Sequence, residues 1–154
     1  MNKFKNGIFY FLLIIFLNNT SFGKENEISF INIESDQLIN KQDPFISKFI
    51  GNVYANDKMN HFWGDEMIIK YDKEKKIESI TILNNVKLIR ADEEVVGNLA
   101  LYYPKKEIVE VIGDVIVTKG DSVLKGEKLI IDLISTTSII TGNKDEQVSV
   151  KIIK

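Results

Sequence analysis

The chain has 154 residues, of which 44% are hydrophobic and 27% are charged, and its formal net charge is −2 at pH 7. This balance suits one globular domain and is too apolar for a disordered chain. The chain contains no cysteine, which excludes disulfides, thiol catalysis and cysteine-ligated zinc. A slightly acidic chain with scattered lysines also lacks the basic surface typical of nucleic-acid-binding proteins.

The amino terminus has the pattern of a secretory signal peptide. Two lysines occur in the first five residues, residues 7–17 are an uninterrupted apolar run, and Ser21 and Gly23 supply small residues for a cleavage site. A permanent membrane anchor would need about 20 apolar residues. We therefore predict a signal peptide over residues 1–23, cleaved near Gly23, followed by one exported domain over residues 24–154.

A repeated unit follows in chain order. Ile and Val dominate the apolar residues of the chain, and such β-branched residues favour sheet over helix. Each unit opens with a short polar-apolar motif, and a glycine stands 13 residues after the first position of each. The three units begin at Gly51, Asn84 and Gly113, and their second glycines are Gly64, Gly97 and Gly126. Three matches with the same internal spacing indicate a structural repeat.

Within each unit the pattern predicts strand, turn, strand and turn. Apolar residues alternate after the first motif, which is typical of a strand, and the stretches between them are rich in Asn, Asp, Gly and Lys. Similar alternating strands are predicted at residues 28–33, 138–141 and 148–153. Helix is expected at most for a turn or two near residues 42–48. The exported chain is therefore predicted to be all-β.

Short motifs in a fixed order resemble the LptA (OstA-like) family of lipopolysaccharide-transport proteins. Residues 31–37 resemble the family's Ile-x-Ile-Glu-Ser-Asp opening, and residues 51–53 its Gly-Asn-Val step. Residues 111–115 and 126–129 resemble later repeat steps, and residues 147–150 stand where the family has its last strand. Each motif is short, but together they extend over nearly the whole exported chain.

The resemblance implies an OstA/LptA-like β-jellyroll in which two antiparallel sheets form a twisted, open trough with an apolar interior. It also implies a periplasmic protein that binds lipopolysaccharide and passes it from the inner-membrane complex to the outer membrane. Its partners would be LptC-like and LptD-like jellyrolls and further copies of itself, joined end to end through edge strands near residues 28–33 and 148–153. No cofactor and no nucleic acid are implied.

Strand parity and the resemblance together select candidate lipid contacts on the interior face. These are Ile31, Ile33, Val53, Ile69, Val86, Tyr102, Val115 and Ile131. The alternative for each is an ordinary core position, because apolar residues at strand spacing usually form the core. The lysines of residues 73–76 and 105–106 are either solvated turn residues or contacts for lipid phosphates.

The residues give no support for an enzyme. His61 is the single histidine, expected to be solvated in a turn, and no multi-histidine metal site is possible. The acids of residues 92–94 are expected as solvated turn residues, and no Gly-x-Ser-x-Gly elbow or phosphate-binding loop is present. Trp63 is expected in the core. Two other functions stay open: a membrane-anchored LptC-like component and a self-associating structural β-protein.

Overall fold

A computed structural model describes residues 31–56 and 59–152. Ten strands and no helix occur within these two ranges. The strands are β1 (Asn32–Glu34), β2 (Gln37–Gln42), β3 (Phe45–Asn56), β4 (Asn60–Tyr71), β5 (Ile77–Arg90), β6 (Glu93–Tyr103), β7 (Ile108–Lys119), β8 (Ser122–Asp132), β9 (Thr137–Thr141) and β10 (Ser149–Lys151). Over the same ranges no helix is long and apolar enough to cross a membrane. The all-β prediction is thus confirmed.

All ten strands form one antiparallel sheet that does not close on itself. Strands β3 to β8 pair in sequence order, each with its neighbours along the chain. At one edge β1 and β2 pair with different stretches of β3, and at the other edge β9 and β10 pair with different stretches of β8. Each edge of the sheet therefore consists of two short strands placed end to end.

A line of irregularities crosses the middle of every long strand. The register shifts in each pairing from β3–β4 to β7–β8. At three of these places two successive residues have positive φ: Gly51 with Asn52, Asn84 with Asn85, and Gly113 with Asp114. Gly, Asn and Asp tolerate this left-handed conformation better than other residues, and bulges bend the strand that contains them. We call this feature the bulge line.

Side-chain hydrogen bonds accompany the bulge line. The Asn52 Nδ2 group donates to Asp36 at 2.8 Å, and Asn85 Nδ2 donates to Asp65 at 2.9 Å. A third bond of 3.1 Å joins Asn98 Nδ2 to an oxygen of Asp114. The Asn85 and Asn98 bonds link neighbouring strands where they bend, and the Asn52 bond ties β3 to the link between β1 and β2. These bonds hold the bent stretches of adjacent strands together.

The bulge line divides the sheet into two walls of eight strand positions each. Wall one comprises β1, 53–56, 60–64, 86–90, 93–97, 115–119, 122–126 and β10. Wall two comprises β2, 45–50, 66–71, 77–83, 99–103, 108–112, 128–132 and β9. The two sheets expected from the sequence are therefore two walls of one bent sheet, and the jellyroll prediction is confirmed.

The core lies between the two walls. Buried side chains from both walls, such as Val117 of wall one and Leu129 of wall two, belong to one hydrophobic cluster. A single sheet layer cannot bury one of its faces this deeply without a second layer against it. Within the described residues the inner face of one wall is therefore covered by that of the other.

Three local expectations need correction or fall outside the description. Residues 42–48, where a helical turn was expected, belong to the β2–β3 hairpin, because the tight turn at Asp43-Pro44 lets Phe45 pair with Gln42 and the following residues pair back along β2. The closing strand is shorter than expected, Ser149–Lys151. The predicted signal peptide at residues 1–23 and the start of the first predicted strand, at 28–30, lie outside the described residues.

Candidate functional site

Two uninterrupted rows of apolar side chains cross the inner face from one edge to the other. In wall one the paired residues are Ile33, Ala55, Phe62, Leu88, Val95, Val117, Leu124 and Val150. In wall two they are Leu38, Phe49, Met67, Ile82, Ala100, Val111, Leu129 and Ile140. Every one of the eight strand positions contributes one apolar residue to its row.

The structure brings seven of the eight predicted lipid contacts onto this inner face. Ile33 belongs to the wall-one row, whereas Ile69, Tyr102 and Ile131 lie on a second wall-two row, each aligned through the register of the strands between them. The three valines, Val53, Val86 and Val115, stand at the bulge line. Ile31 precedes β1 and is 43% exposed, so it does not belong to the packed face.

Burial on the inner face is nearly complete at the bulge line and also farther along β7 and β8, where Val117 and Leu129 are 0% exposed. Val53 and Val86 are 1% exposed and Val115 is 0% exposed. Residues nearer the strand ends, including Tyr71, Ile77 and Leu88, are only partly buried and pack against this cluster. The most buried candidates are therefore core residues in this conformation, and a ligand reaches them only if the walls separate.

The second glycine of each repeat makes room for a side chain of the next strand. A Cβ atom at Gly97 would lie 2.6 Å from Cγ1 of Val111, and one at Gly126 would lie 2.6 Å from Cγ1 of Ile140. A Cβ atom at Gly64 would collide with Ile82 in the same way. These glycines explain the 13-residue spacing of the repeat, since each leaves space for a β-branched side chain beside the bulge.

The ends of the walls farthest from the bulge line are formed by turns, which we call the rims. The wall-two rim contains the turns at residues 43–44, 72–76, 104–107 and 133–136. Three contacts tie these turns together in series. Lys75 Nζ lies 5.8 Å from the centre of the Phe45 ring, Lys105 Nζ binds Asp72 at 2.8 Å, and the Leu133 amide donates to the Glu107 carbonyl at 2.9 Å.

Asp72 organises the central turn of this rim. Its carboxylate accepts hydrogen bonds from Lys105 and from the backbone amides of Glu74 and Lys76. The Lys105 bond first, then the backbone bonds, hold the pKa of Asp72 below its usual value, and the same ion pair raises the pKa of Lys105. The negative charge of Asp72 thus stabilises its own turn and links it to the β6–β7 turn.

The wall-one rim carries a buried ion pair. Glu93 begins β6, points to the inner face and is only 6% exposed, and its carboxylate binds the ammonium group of Lys119 on the neighbouring strand. The sequence led us to expect a solvated turn acid at this position. The expectation was wrong because the turn is shorter than the run of acidic residues, so that Glu93 already belongs to the strand.

Tyr102 is the candidate whose side chain combines apolar and polar character. It lies in the wall-two row that contains Ile69 and Ile131, and it is partly exposed. Desolvation by burial, with a smaller effect of the Glu107 charge, raises the pKa of its phenol above the usual value. The ring is therefore neutral at physiological pH and presents an uncharged surface to the trough.

An aromatic cluster that the sequence led us to misplace lies on the outer face. Trp63 was expected in the core, but its neighbours Phe62 and Gly64 face inward, so strand alternation directs Trp63 outward. Its ring centre lies 5.2 Å from that of Tyr54, and Lys87 Nζ lies 5.4 Å from the Trp63 ring centre. His61 belongs to β4 instead of a turn and shares a 2.8 Å hydrogen bond with Tyr54.

No group of three metal-ligating side chains occurs among residues 31–56 and 59–152. The candidate site is instead the long apolar face between the two walls, open at both edges of the sheet. The exposed ends of its two rows are Leu38, which is 51% exposed, and Val150, which is 41% exposed.

Comparison with known proteins gives matches in family and fold. A family model described as the LptA/(LptD N-terminal domain) LPS transport protein matches residues 32–137. The fold is similar to that of LptH from Pseudomonas aeruginosa, described as the LptA-homologous periplasmic component of a lipopolysaccharide-transport device, with a TM-score of 0.71. The alignment covers 82% of this chain and 96% of the LptH chain at 14% sequence identity, a level at which the likeness concerns the fold alone. No curated protein sequence matches the chain.

Proposed function

Because the chain belongs to the LptA/LptD N-terminal domain family of lipopolysaccharide-transport proteins, we propose that it is a bridge protein that carries lipopolysaccharide along its inner face. The acyl chains would lie against the two apolar rows, and the sugar and phosphate groups would face water at the rims. The family is one of transport proteins and not of enzymes, and the chain's own residues would act by binding and guiding the lipid.

The observation that carries this proposal is the continuity of the apolar rows. Each row runs through eight strand positions without a polar residue, from Ile33 to Val150 and from Leu38 to Ile140. A core that only stabilised the fold would not need apolar residues on its exposed edge strands. Burying apolar surface contributes roughly 25 cal/mol per Å², so acyl chains can be held along such a row without specific polar contacts.

Lipid binding requires the walls to part, because the deepest candidates are fully buried. The partly buried residues near the rims, including Tyr102 and Leu88, would meet the acyl chains first. Val53, Val86 and Val115 at the bulge line would follow as the walls separate. In this view Ile33, Ile69, Tyr102 and Ile131 are lipid contacts, and Ile31 would contact lipid only where the trough continues beyond β1.

The edges of the sheet support assembly from end to end. Within the described ranges, β1 and β2 pair on one side only, and so do β9 and β10. Exposed apolar side chains lie on both edges, including Ile39 on β2 and Ile139 on β9. If the β9/β10 edge of one copy met the β1/β2 edge of the next, Val150 would come next to Ile33 and Ile140 next to Leu38, and both rows would continue.

The same edges would accept the other partners that the proposal needs. An LptC-like jellyroll would deliver lipopolysaccharide at one edge, and an LptD-like amino-terminal jellyroll would receive it at the other. Strand addition at an unpaired edge is a common mode of recognition. The proposal places the protein in the periplasm after removal of residues 1–23.

The test is light-activated crosslinking from two adjacent residues whose side chains lie on opposite faces of the sheet. Benzoylphenylalanine replaces Tyr102, which faces inward, and in a second variant Tyr103, which faces outward on the same strand. Both are partly buried tyrosines beside the same turn, so they differ mainly in the face of the sheet on which they lie. Each purified variant is mixed with lipopolysaccharide and irradiated.

A lipopolysaccharide adduct at residue 102 and none at residue 103 is the expected result. Equal labelling at both positions would contradict binding on the inner face. Self-association without any adduct at residue 102, in folded protein with lipid present, would favour the structural alternative in which the protein only stacks through its edges.

A further inference from the structure

The two rims carry opposite charge. The two central wall-two turns, at residues 72–76 and 104–107, contain five lysines and three acids, a local balance of +2 in a chain whose net charge is −2. With Asp43 in the turn at residues 43–44, the whole wall-two rim has a balance of +1. The fully described wall-one turns at residues 90–93 and 119–122 contain two basic and three acidic residues, a balance of −1. The trough therefore has one cationic side and one anionic side.

The cationic rim stands directly above an apolar wall. Tyr71 and Ile77, which flank the turn at residues 72–76, both pack against the buried cluster. The lysines that they enclose, Lys73, Lys75 and Lys76, are exposed. An amphiphile whose chains lay on wall two would hold its polar group at the level of these ammonium groups.

The fold brings lysines from two separate turns to this one place. The Lys105–Asp72 ion pair joins the β6–β7 turn to the β4–β5 turn. Lys76 forms a second ion pair with Glu74 at 3.0 Å, but both side chains are largely exposed, so this pair is weak and Lys76 can exchange Glu74 for a phosphate. Lys75 is held over the Phe45 ring, 5.8 Å from its centre. The cations are thus assembled by specific contacts and differ from lysines scattered over a solvated surface.

We infer that the lysines of this rim, Lys73, Lys75, Lys76 and Lys105, bind the phosphate groups of the lipid whose acyl chains lie on the inner face. Lys106 is not among them, because its Nζ lies 5.5 Å from the ring centre of the outward-facing Tyr103. Ammonium groups attract phosphate as compact point charges, and several of them near an anionic lipid surface act together. The acidic wall-one rim repels the same groups. The pair of rims therefore fixes which way round the lipid lies across the trough. This inference rests on the proposed function.

The test removes the charge of three rim lysines. The variant Lys73→Gln, Lys75→Gln, Lys76→Gln leaves the Lys105–Asp72 ion pair intact. A matched variant makes the same change at three exposed lysines away from the wall-two rim, Lys125, Lys144 and Lys151. Affinity is measured for a bis-phosphorylated lipopolysaccharide and for the same lipid after phosphatase treatment, and thermal unfolding by circular dichroism checks that both variants fold.

We expect the rim variant to bind the phosphorylated lipid about tenfold or more weakly, since each lysine near an anionic headgroup strengthens binding by about fivefold before screening. The matched variant should change by less than about twofold, as exposed charges far from a ligand are screened. All three proteins should bind the dephosphorylated lipid equally.

Two outcomes would overturn the inference. An equal loss in the matched variant would mean that only net charge matters, and an unchanged rim variant would mean that the phosphates lie elsewhere. The rim would be assigned to free anions if inorganic phosphate alone bound as tightly as the lipid and if the rim substitutions abolished that binding. If none of the proteins bound either lipid, the proposed function itself would fail, which this design distinguishes from failure of the rim.

Discussion

The space beside Gly97 offers a quantitative test of how the bent sheet is packed. Gly97 has no positive φ, so its backbone accepts alanine without strain. The added Cβ would, however, lie 2.6 Å from Cγ1 of Val111, against 3.4 Å or more in an ordinary contact. Val111 is 0% exposed and its row neighbours Ala100 and Leu129 are also buried, so it has little room to move.

Overpacking of a buried site costs about 1–3 kcal/mol, and this is our expectation for Gly97→Ala. Val111→Ala removes two buried methyl groups and should cost about 2 kcal/mol. In the double variant the new methyl group enters space that the valine has left. The double variant should therefore lose about 1–2 kcal/mol less stability than the sum of the two single losses.

The measurement is urea unfolding of the four proteins of this cycle, with the free energy of unfolding taken at constant m-value. Gly120→Ala combined with Val111→Ala is the control. Gly120 has φ of +53° and no atom within 4 Å of an added Cβ, so Gly120→Ala should lower stability through backbone strain alone. Its loss of unfolding free energy should simply add to that of Val111→Ala. Strict additivity at Gly97 would refute the explanation of the repeat given above.

Three further predictions concern the turn at Asp72, the bulge line and the edges. Asp72→Asn should lower stability at neutral pH, and because the pKa of Asp72 is lowered in the fold, that loss should vanish as the pH falls below about 4, measured by thermal unfolding across pH. Asn85→Ala should cost about 1–2 kcal/mol, through a lost bond to Asp65 and a φ of +49°, whereas Asn85→Gly keeps the backbone relaxed and should cost less; equal losses in urea unfolding would contradict the backbone part. Val150→Asp at the β10 edge should reduce self-association in sedimentation velocity, while Ile134→Asp, in a rim turn and 71% exposed, should not.

Strand alternation and the repeat predicted much of this architecture. The three motifs with glycines 13 residues later predicted a repeat, but not that these glycines lie inside long strands at the bends. Left-handed backbone and close side-chain approach restrict the residue type at such bends. Within a strand, alternate side chains lie on opposite faces of the sheet, so the position of each residue then predicted whether it faces inward or outward. This reasoning placed Val53, Val86 and Val115 at equivalent positions. In the sheet each of them pairs with the second glycine of its repeat.

Other features depend on where a strand begins, which composition does not specify. Trp63 was assigned to the core by residue type alone. It lies between two inward-facing residues of β4, so its side chain is on the outer face beside Tyr54. Glu93 belonged to an acidic run that looked like a turn, yet the strand starts there and buries it. The cross-turn contacts of the wall-two rim join residues far apart in the chain, such as Lys105 and Asp72, and no local pattern predicts them.

The split edges of the sheet have a consequence for the reach of a bridge. A contact between unlike edges leaves a free edge on each new copy, so copies joined in this way would form an open polymer unless the rotation between them closed a ring. Eight strand positions at about 4.8 Å each give roughly 38 Å of length per copy. The span would then grow in whole steps and depend on protein concentration through mass action. A copy with one damaged edge would act as a chain terminator, so a small fraction of such copies would shorten many bridges at once.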